Sequence, residues 1–570
     1  MKKLLLLSLI FISCDNPENH GNLSIFKTPT PEQFDKWLEI DSVYIDMVTP
    51  MVKVYKGSAK LNFNGNPWEN KSFQSEYSDL TWRELYDYVI YSKEIYNELD
   101  ENNKFELLVI GGGVVGSAIL ELAASQGINS LLIEKNDFSS GASSRSTKLL
   151  HGGIRYLPQM QFGLVRESLK EQKILEQVLG QLYKPLKLLA PVFKDDGFSD
   201  LPKILQSNFI APIAFKIGLT LYDFLGQRKK DQRHTLISKE DTFGLFPKLK
   251  KNKLTKSFIF QDAQTEDAKL VLTLLRNAVE INNATALNYI KITDIIRTGD
   301  SYKVLLIDEI NNKEYTVESK KIIAATGIHN LPGMYKSKSS KIKLSGGAHL
   351  ILEGDPLGIG KNGVLLPQTE DNRVMFVLPW TGNTIVGTTD TEEFSGSLDR
   401  PYANSEDKAY LIRHIKKYFN IEEVKYISSW TGLRALIDSS GTNSKNISRG
   451  HFYKDIDENF IQISGGKLTG FRVIAKESLE QLFSQNFELN KQEFVDSILN
   501  LESQYKYKDL QLCLNHYCVV KPTDYLLRRT RISWFNQNGG KSFLDKVMVN
   551  FDSTLYFEET IEELQDEGLL

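Results

Sequence analysis

The sequence predicts an α/β chain with an added helical region (α/β + α): a Rossmann-like dinucleotide-binding domain, an antiparallel-sheet substrate domain and a C-terminal helical domain. Three observations carry this. Residues 105–153 run strand, glycine turn, helix, strand, the order a dinucleotide fold requires. Lys341–Leu352 and Arg373–Thr389 are rich in strand formers that alternate in places, as in an antiparallel sheet. Residues 488–570 read as helical. A chain of 570 residues has room for roughly two to four domains with ample core.

Taken in order, the chain opens on basic Met1-Lys2-Lys3 and the apolar run Leu4–Ile12, then Ser13-Cys14 and polar Asp15-Asn16-Pro17. This is a secretory signal pattern, too short to span a bilayer. A small residue before a cysteine resembles a bacterial lipoprotein cleavage box, although Phe11 stands where leucine is usual. Lipidation of Cys14 would tether the chain to a membrane; an uncleaved anchor or a start codon assigned too early are the other readings. Residues 15–104 form an extension of unknown role, acidic and tyrosine-rich, with helices read at Pro31–Ile40 and Leu80–Leu99.

The dinucleotide segment follows. Phe105–Ile110 is one buried strand, Val114–Ser125 a helix with an apolar face, and Ser130–Ile133 a second strand ending in Glu134. Gly111, Gly113 and Gly116 hold G-x-G-x-x-G spacing: the first for the tight turn, the second for backbone approach to a pyrophosphate, the third for close helix–strand packing. The helix start offers free N–H groups and positive partial charge, and Glu134 is placed for the adenosine ribose. Ser143, Ser144, Ser146 and Thr147 cluster with Arg145 and Lys148, a loop able to bind diphosphate and the polar edge of a ring system. An ordinary polar loop is the alternative.

Beyond it, Gln159–Leu182 reads as a long amphipathic helix. Residues 201–226 are the most apolar stretch of the mature chain, interrupted by Pro212 and Lys216; they read as helical cap structure rather than a membrane-dipping surface. Arg228-Lys229-Lys230 and the run Lys248–Lys256 are basic enough to touch anionic lipid, with a solvated face as the default. A strand at Phe258–Gln261 and a helix at Glu266–Glu280 come next, then strands at Tyr302–Ile307, Glu314–Glu318 and Lys321–Ala325, and helices at Glu406–Phe419 and Val473–Phe483.

Composition narrows function by exclusion. With 41% hydrophobic residues, 25% charged and a net charge of −3, nothing marks a nucleic-acid partner. Cys14, Cys513 and Cys518 make neither a disulfide framework nor a zinc spacing, and no metal is expected.

The run EKNDFSSGASSRSTKLLHGGIRYL resembles the start of FAD-dependent, quinone-linked (aerobic) glycerol-3-phosphate dehydrogenases, within the glycine/D-amino-acid oxidase superfamily. Further motifs follow in order: Glu266-Asp267-Ala268-Lys269-Leu270-Val271, Ala325-Thr326-Gly327, Gly346–His349, Gly387-Thr388-Thr389-Asp390, Trp430–Arg434, Ile461–Arg472 and Lys521–Thr530. The resemblance covers roughly 105–535. It departs at Ile328-His329 (the family has Pro-Trp), at Ala435 (proline) and before Gly347 (lysine).

The resemblance implies FAD as cofactor and a layout of signal segment (1–14), extension (15–104), oxidoreductase with interleaved FAD and substrate subdomains (105–487), and helical domain (488–570). It places at the cofactor Gly111, Gly113, Gly116, Glu134, Lys135, Ser143, Ser144, Thr147, Lys148, His151, Gly152, Gly153, Gly327, Gly466, Leu468 and Thr469. It implies oxidation of sn-glycerol 3-phosphate to dihydroxyacetone phosphate, with hydride passing to the flavin. Arg155 and Arg449 are candidates for the phosphate, which arginine binds in bidentate fashion. Arg434 and Lys467 would lie near the reacting oxygen, where positive charge stabilises a developing alkoxide, and Tyr156 would complete the pocket. His349 and His151 are the titratable candidates for proton transfer; each is equally a structural histidine, and the arginines are equally surface ion pairs. Quinone and a membrane surface are the implied partners, and a homodimer is compatible. The family works on the cytoplasmic side, in tension with the lipoprotein-type start. Electron transfer to oxygen, an amine or hydroxy-acid oxidase, and a tethered flavin protein without turnover are the alternatives.

Overall fold

The computed structural model describes residues 103–157, 160–194, 211–371, 373–392, 394–437, 451–489, 519–548, 551 and 553–570. They fall almost wholly in one compact unit, Asn102–Asp545 with Thr554–Leu570; the other unit, Met1–Glu101 with Lys546–Ser553, lies very largely outside them. The readings on residues 1–102, Cys14 and Arg449 are therefore outside the described residues.

The dinucleotide segment folds as its sequence predicts: β1 (Lys104–Ile110), α1 (Val114–Ser125) and β2 (Ser130–Ile133). Leu107, Leu108 and Val109 are fully buried, because β1 lies between parallel neighbours and packs on both faces. A two-residue strand β3 (Leu149–Leu150), helix α2 (Phe162–Val178) and strand β4 (Lys184–Phe193) lead away from it. Then come α3 (Ala211–Leu225), β5 (Thr235–Ile237), α4 (Lys239–Leu245), β6 (Leu254–Gln264) and α5 (Asp267–Arg276). Ser238 caps α4, its hydroxyl accepting the Asp241 N–H at 3.0 Å, as a serine at a helix start does.

The chain returns through β7 (Thr285–Leu287), β8 (Ile290–Thr298), β9 (Ser301–Asp308) and β10 (Lys313–Ala324). Sequence patterning divides the last of these into two strands, Glu314–Glu318 and Lys321–Ala325. The structure joins them, because the strand changes partner midway. Lys313–Ser319 pairs antiparallel with β9, and Glu318–Ala324 pairs parallel with β1. The polar middle that suggests a break is where one pairing gives way to the other.

The second half supplies β11 (Ile342–Leu352), β12 (Gly363–Leu366), β13 (Met375–Trp380), β14 (Asn383–Gly387), β15 (Ser395–Gly396) and β16 (Pro401–Tyr402). After α6 (Ser405–Tyr418) come β17 (Ser428–Ile437), β18 (His451–Asp457), β19 (Phe460–Gly465) and α7 (Phe471–Phe483). Two large sheets result. The first, in the order β18-β19-β10-β1-β2-β7 with β8 and β9 attached beside β10, is the dinucleotide sheet. The second, β17-β11-β14-β13-β12-β4-β6-β3 with β5 on β6, is antiparallel apart from the β12–β4 pair. Its core joins Leu189, Leu350, Val364, Val377 and Val386 to Leu411, Ile415 and Tyr418 of α6.

The described C-terminal residues are helical, as expected, with α8 (Ile532–Phe535), α9 (Lys541–Met548) and α10 (Ser553–Asp566). Trp534 and Leu564 pack with Trp380 and Trp430 of the second sheet. Among the described residues no helix is long and apolar enough to cross a membrane, and no cluster of His, Cys, Asp or Glu could hold a metal ion.

Candidate active site

The glycine turn between β1 and α1 is built by close approach. Gly111 has φ +111°, and a Cβ there would lie 2.5 Å from the Ala325 carbonyl oxygen; a Cβ on Gly116 would lie 1.9 Å from that of Gly111. Ser143 reaches back to the helix start, its Oγ accepting the Val114 N–H at 2.9 Å. The next N–H groups, at Val115 and Gly116, have no acceptor within the helix, an arrangement that suits an anion. Glu134 stands across the turn, accepting N–H groups from Gly112 at 2.7 Å and Asn136 at 2.8 Å. Burial raises its carboxyl above the usual range against those two hydrogen bonds. The carboxylate is fixed, half-buried, and keeps lone pairs for ribose hydroxyls. Gly327 has φ +61° and open space where a Cβ would stand.

Lys135, expected at the cofactor, pairs with Asp399 at 2.8 Å, and Asn136 and His329 converge on the same carboxylate at 3.0 and 3.3 Å. Lys148, likewise expected at the cofactor, is enclosed in the protein. Its ammonium is completely buried. It donates to Asp267 at 2.7 Å and to the Ser144 carbonyl at 2.6 Å, and lies over the rings of Trp380 and Trp430. Burial pulls its pKa down to about 8 against the opposing pull of Asp267. In this conformation it braces the loop through these contacts. Arg531 donates to Asp267 at 2.7 Å, and Ser146 from its hydroxyl at 2.6 Å. Burial alone would raise the Asp267 carboxyl, but Lys148 and Arg531 hold it below the usual range. Ser144 enters this cluster through its carbonyl rather than its hydroxyl.

Past the loop, the Gly152-Gly153 turn rests on a buried polar network. The Gly152 N–H donates to the Tyr222 hydroxyl at 2.8 Å, which donates to Asp262 at 2.7 Å; Gln172 donates to Asp262 at 3.0 Å. Arg228 lies 3.6 Å from Asp262. Gly153 has φ +78°, and a Cβ there would meet the Tyr156 ring at 2.6 Å. Tyr156 is buried, with the Lys467 ammonium 4.0 Å from its ring centroid. Thr469 donates to the carbonyl of half-buried His151 at 3.2 Å. Gly466, at φ +104°, turns the chain from β19 into the short helical turn Leu468–Gly470 and then α7. Tyr156, Lys467, His151 and Thr469 are thus brought together. Arg155 lies in the helical turn Ile154–Tyr156; its side chain is outside the described residues.

A second group gathers on the antiparallel sheet. His349 on β11 pairs across to Gly387 and Trp430. Its ring stacks on Trp430 at 5.2 Å, and its Nε2 lies 2.9 Å from the Thr147 hydroxyl. Burial first, then the charges of Arg434 and Lys148, push His349 down to about 3. A neutral imidazole whose conjugate acid is so strong is a weak base near pH 7, and in this structure the ring holds the Thr147 hydroxyl. Arg434, on β17, has a side chain 27% exposed, with Nη2 3.0 Å from Thr388 Oγ1 and Nη1 3.4 Å from Asp390. A Cβ on Gly347 would come within 2.4 Å of Nη2; this glycine opens the notch the arginine occupies. Sequence reasoning noted Asp267, Thr388 and Asp390 as motif members without a role, and missed Tyr222, Asp262 and Asp399, which no local pattern marks.

Fold and site together define an oxidoreductase built on a dinucleotide-binding sheet, with the substrate side on an antiparallel sheet. Residues 106–471 match the model of the family described as FAD dependent oxidoreductase, and the chain belongs to that family. It is 34% identical to the aerobic glycerol-3-phosphate dehydrogenase of Bacillus subtilis over 397 residues, covering 68% of this chain and 69% of the relative. It is 28% identical to the enzyme of that name from Staphylococcus epidermidis over 538 residues, covering 82% and 94%. Among solved structures it shares its fold with the glycerol-3-phosphate dehydrogenase of Bacillus halodurans complexed with FAD. That match has a TM-score of 0.61 and 23% identity, over 84% of this chain and 96% of the other. The residues fit the flavin nucleotide: the turn admits only glycine at Gly111 and Gly116, and Glu134 is fixed with spare lone pairs.

Proposed function

We propose that this chain oxidises sn-glycerol 3-phosphate to dihydroxyacetone phosphate and passes the electrons to a membrane quinone. The observation that carries the substrate is similarity to aerobic glycerol-3-phosphate dehydrogenase over 82% of this chain and 94% of that relative. FAD, when bound, accepts the hydride from C2. The chain's residues bind and orient. Gly111–Gly116 and Glu134 would hold the nucleotide, and the Gly466–Thr469 turn, with Gly152 and Gly153, would hold the flavin ring. Arg434 and Lys467 supply positive charge where the C2 oxygen passes its proton to a base, for which half-buried His151 is the candidate, and Arg155 and Arg449 take the phosphate. Tyr156 packs under the Lys467 ammonium, limiting its freedom.

A membrane partner is supported by α3, which exposes Ile213 (59%), Ile217 (63%) and Phe224 (78%) beside exposed Lys216, Lys229 and Lys230. An apolar stripe flanked by cations suits an anionic bilayer surface, and a lipid on Cys14 would add a second anchor. The test is anaerobic mixing of the purified protein with glycerol 3-phosphate while following the flavin absorption band. Bleaching that plain glycerol and D-amino acids do not produce is the expected result; a flavin that stays oxidised would overturn the substrate. Reoxidation by quinone but only slowly by air is expected, and fast reoxidation by air would make the enzyme an oxidase.

A further inference from the structure

Asp390 belongs to the turn after β14 and has no part in the proposed chemistry. Its side chain is 1% exposed. Three partners converge on it. Ser345, opposite Arg434 in the β11–β17 register, donates its hydroxyl to Oδ1. Arg434 Nη1 lies 3.4 Å from the same oxygen, and Arg373 Nη1 lies 3.5 Å from Oδ2. The two guanidinia differ. That of Arg373 is clamped by Asp371 at 2.5 Å and by Tyr410 at 3.3 Å, with its side chain 13% exposed. That of Arg434 rests in the Gly347 notch and reaches the surface of the site. A buried carboxylate therefore sits between a fixed cation and a working one.

We infer that Asp390 is the positioning residue of the substrate site: it sets the orientation of the Arg434 guanidinium and shields it from the charge of Arg373. This rests on the reading that Arg434 faces the reacting oxygen. Asp390 contributes the charge-assisted contact, and Thr388 Oγ1, which accepts from Nη2 at 3.0 Å, contributes a second point that fixes the plane. Without the carboxylate, the Arg434 guanidinium loses its anionic contact and faces Arg373, whose charge Asp371 offsets from the far side, and it moves. Misplacement of a catalytic group by about 1 Å costs on the order of 100-fold in rate.

The test is a double-mutant cycle on the FAD-loaded protein, read as the limiting rate of anaerobic flavin bleaching by glycerol 3-phosphate. Asp390→Asn should lower that rate by ~10- to 100-fold, with the half-saturating substrate concentration and the visible spectrum little changed. On an Arg434→Gln background the same change should cost less than about twofold, since nothing remains to position. Equal losses on both backgrounds would overturn the inference, because the carboxylate would then act independently of Arg434. A slow Arg434→Gln beside an unimpaired Asp390→Asn would overturn this inference alone, whereas an unimpaired Arg434→Gln overturns the site reading beneath it. Thr388→Val, which buries no charge, guards against misfolding of Asp390→Asn: it should slow bleaching on the native background and not on Arg434→Gln, and no slowing on either overturns the inference.

Discussion

Asp267→Asn tests whether the C-terminal helices are held by charge. The substitution keeps the shape of the side chain and removes the carboxylate from between Lys148 and Arg531, leaving both cations enclosed at 0% and 3% exposure. Breaking a buried pair from one side costs about 3–5 kcal/mol. Lys148 softens the loss. Its conjugate acid is already at about 8, so it sheds its proton for about 1.4 kcal/mol per pH unit; Arg531 has no such escape. The expected loss lies at the lower end, about 3 kcal/mol. Urea unfolding at pH 7, followed by tryptophan fluorescence, is the assay, because Lys148 lies 5.3 and 5.2 Å from the rings of Trp380 and Trp430. A loss below about 1 kcal/mol, the range of an exposed pair, would refute the reasoning. Adding Lys148→Met and Arg531→Met should recover most of the stability, as apolar replacement of a buried charge cluster commonly does.

Gly116→Ala should yield protein without flavin absorbance, since its Cβ would stand 1.9 Å from the Gly111 oxygen; Gly163→Ala, with nothing within 4 Å, is the neutral control. Tyr222→Phe removes the hydroxyl that accepts from Gly152 and donates to Asp262. It should cost about 1–3 kcal/mol, read as a lower melting temperature together with weaker FAD retention. His349 gives a pH signature. Its folded value of about 3 lies below the ordinary 6.5, so between those limits the unfolded chain takes up a proton that the folded chain refuses. Stability is then lost as pH falls from 6.5 towards 3. His349→Gln should lose less than the native protein between pH 6.5 and pH 4; an equal loss counts against the buried neutral imidazole.

What the sequence discloses depends on the range of the interaction. The turn at Gly111–Gly116 and the strand ending at Glu134 are short-range patterns that residue spacing locates, and the Gly466–Thr469 turn is found through its resemblance to a family motif. Asp267 stands in a recognisable motif, yet its partner Arg531 is 264 residues away, and no periodicity links the two. The same holds for Asp399, which gathers Lys135, Asn136 and His329 from two separate loops. The enclosure of Lys148 is invisible in the sequence for a related reason. A cation among hydroxyl side chains reads as a phosphate ligand until the two tryptophans that enclose it, Trp380 and Trp430, arrive from the other sheet. The β10 strand misreads because pattern analysis assumes one set of neighbours per strand.

The loop carrying Ser143 and Thr147 ends its course against the far end of the sequence. The Arg145 guanidinium donates to Glu567 at 2.6 Å, across 422 residues, with both side chains almost wholly enclosed. A ribosome adds roughly 5–20 residues per second. The partner carboxylate of Arg145 is therefore synthesised on the order of a minute after it, while its contact with the Ser140 carbonyl is local. During that interval the glycine turn can form, but the loop beside it lacks this brace.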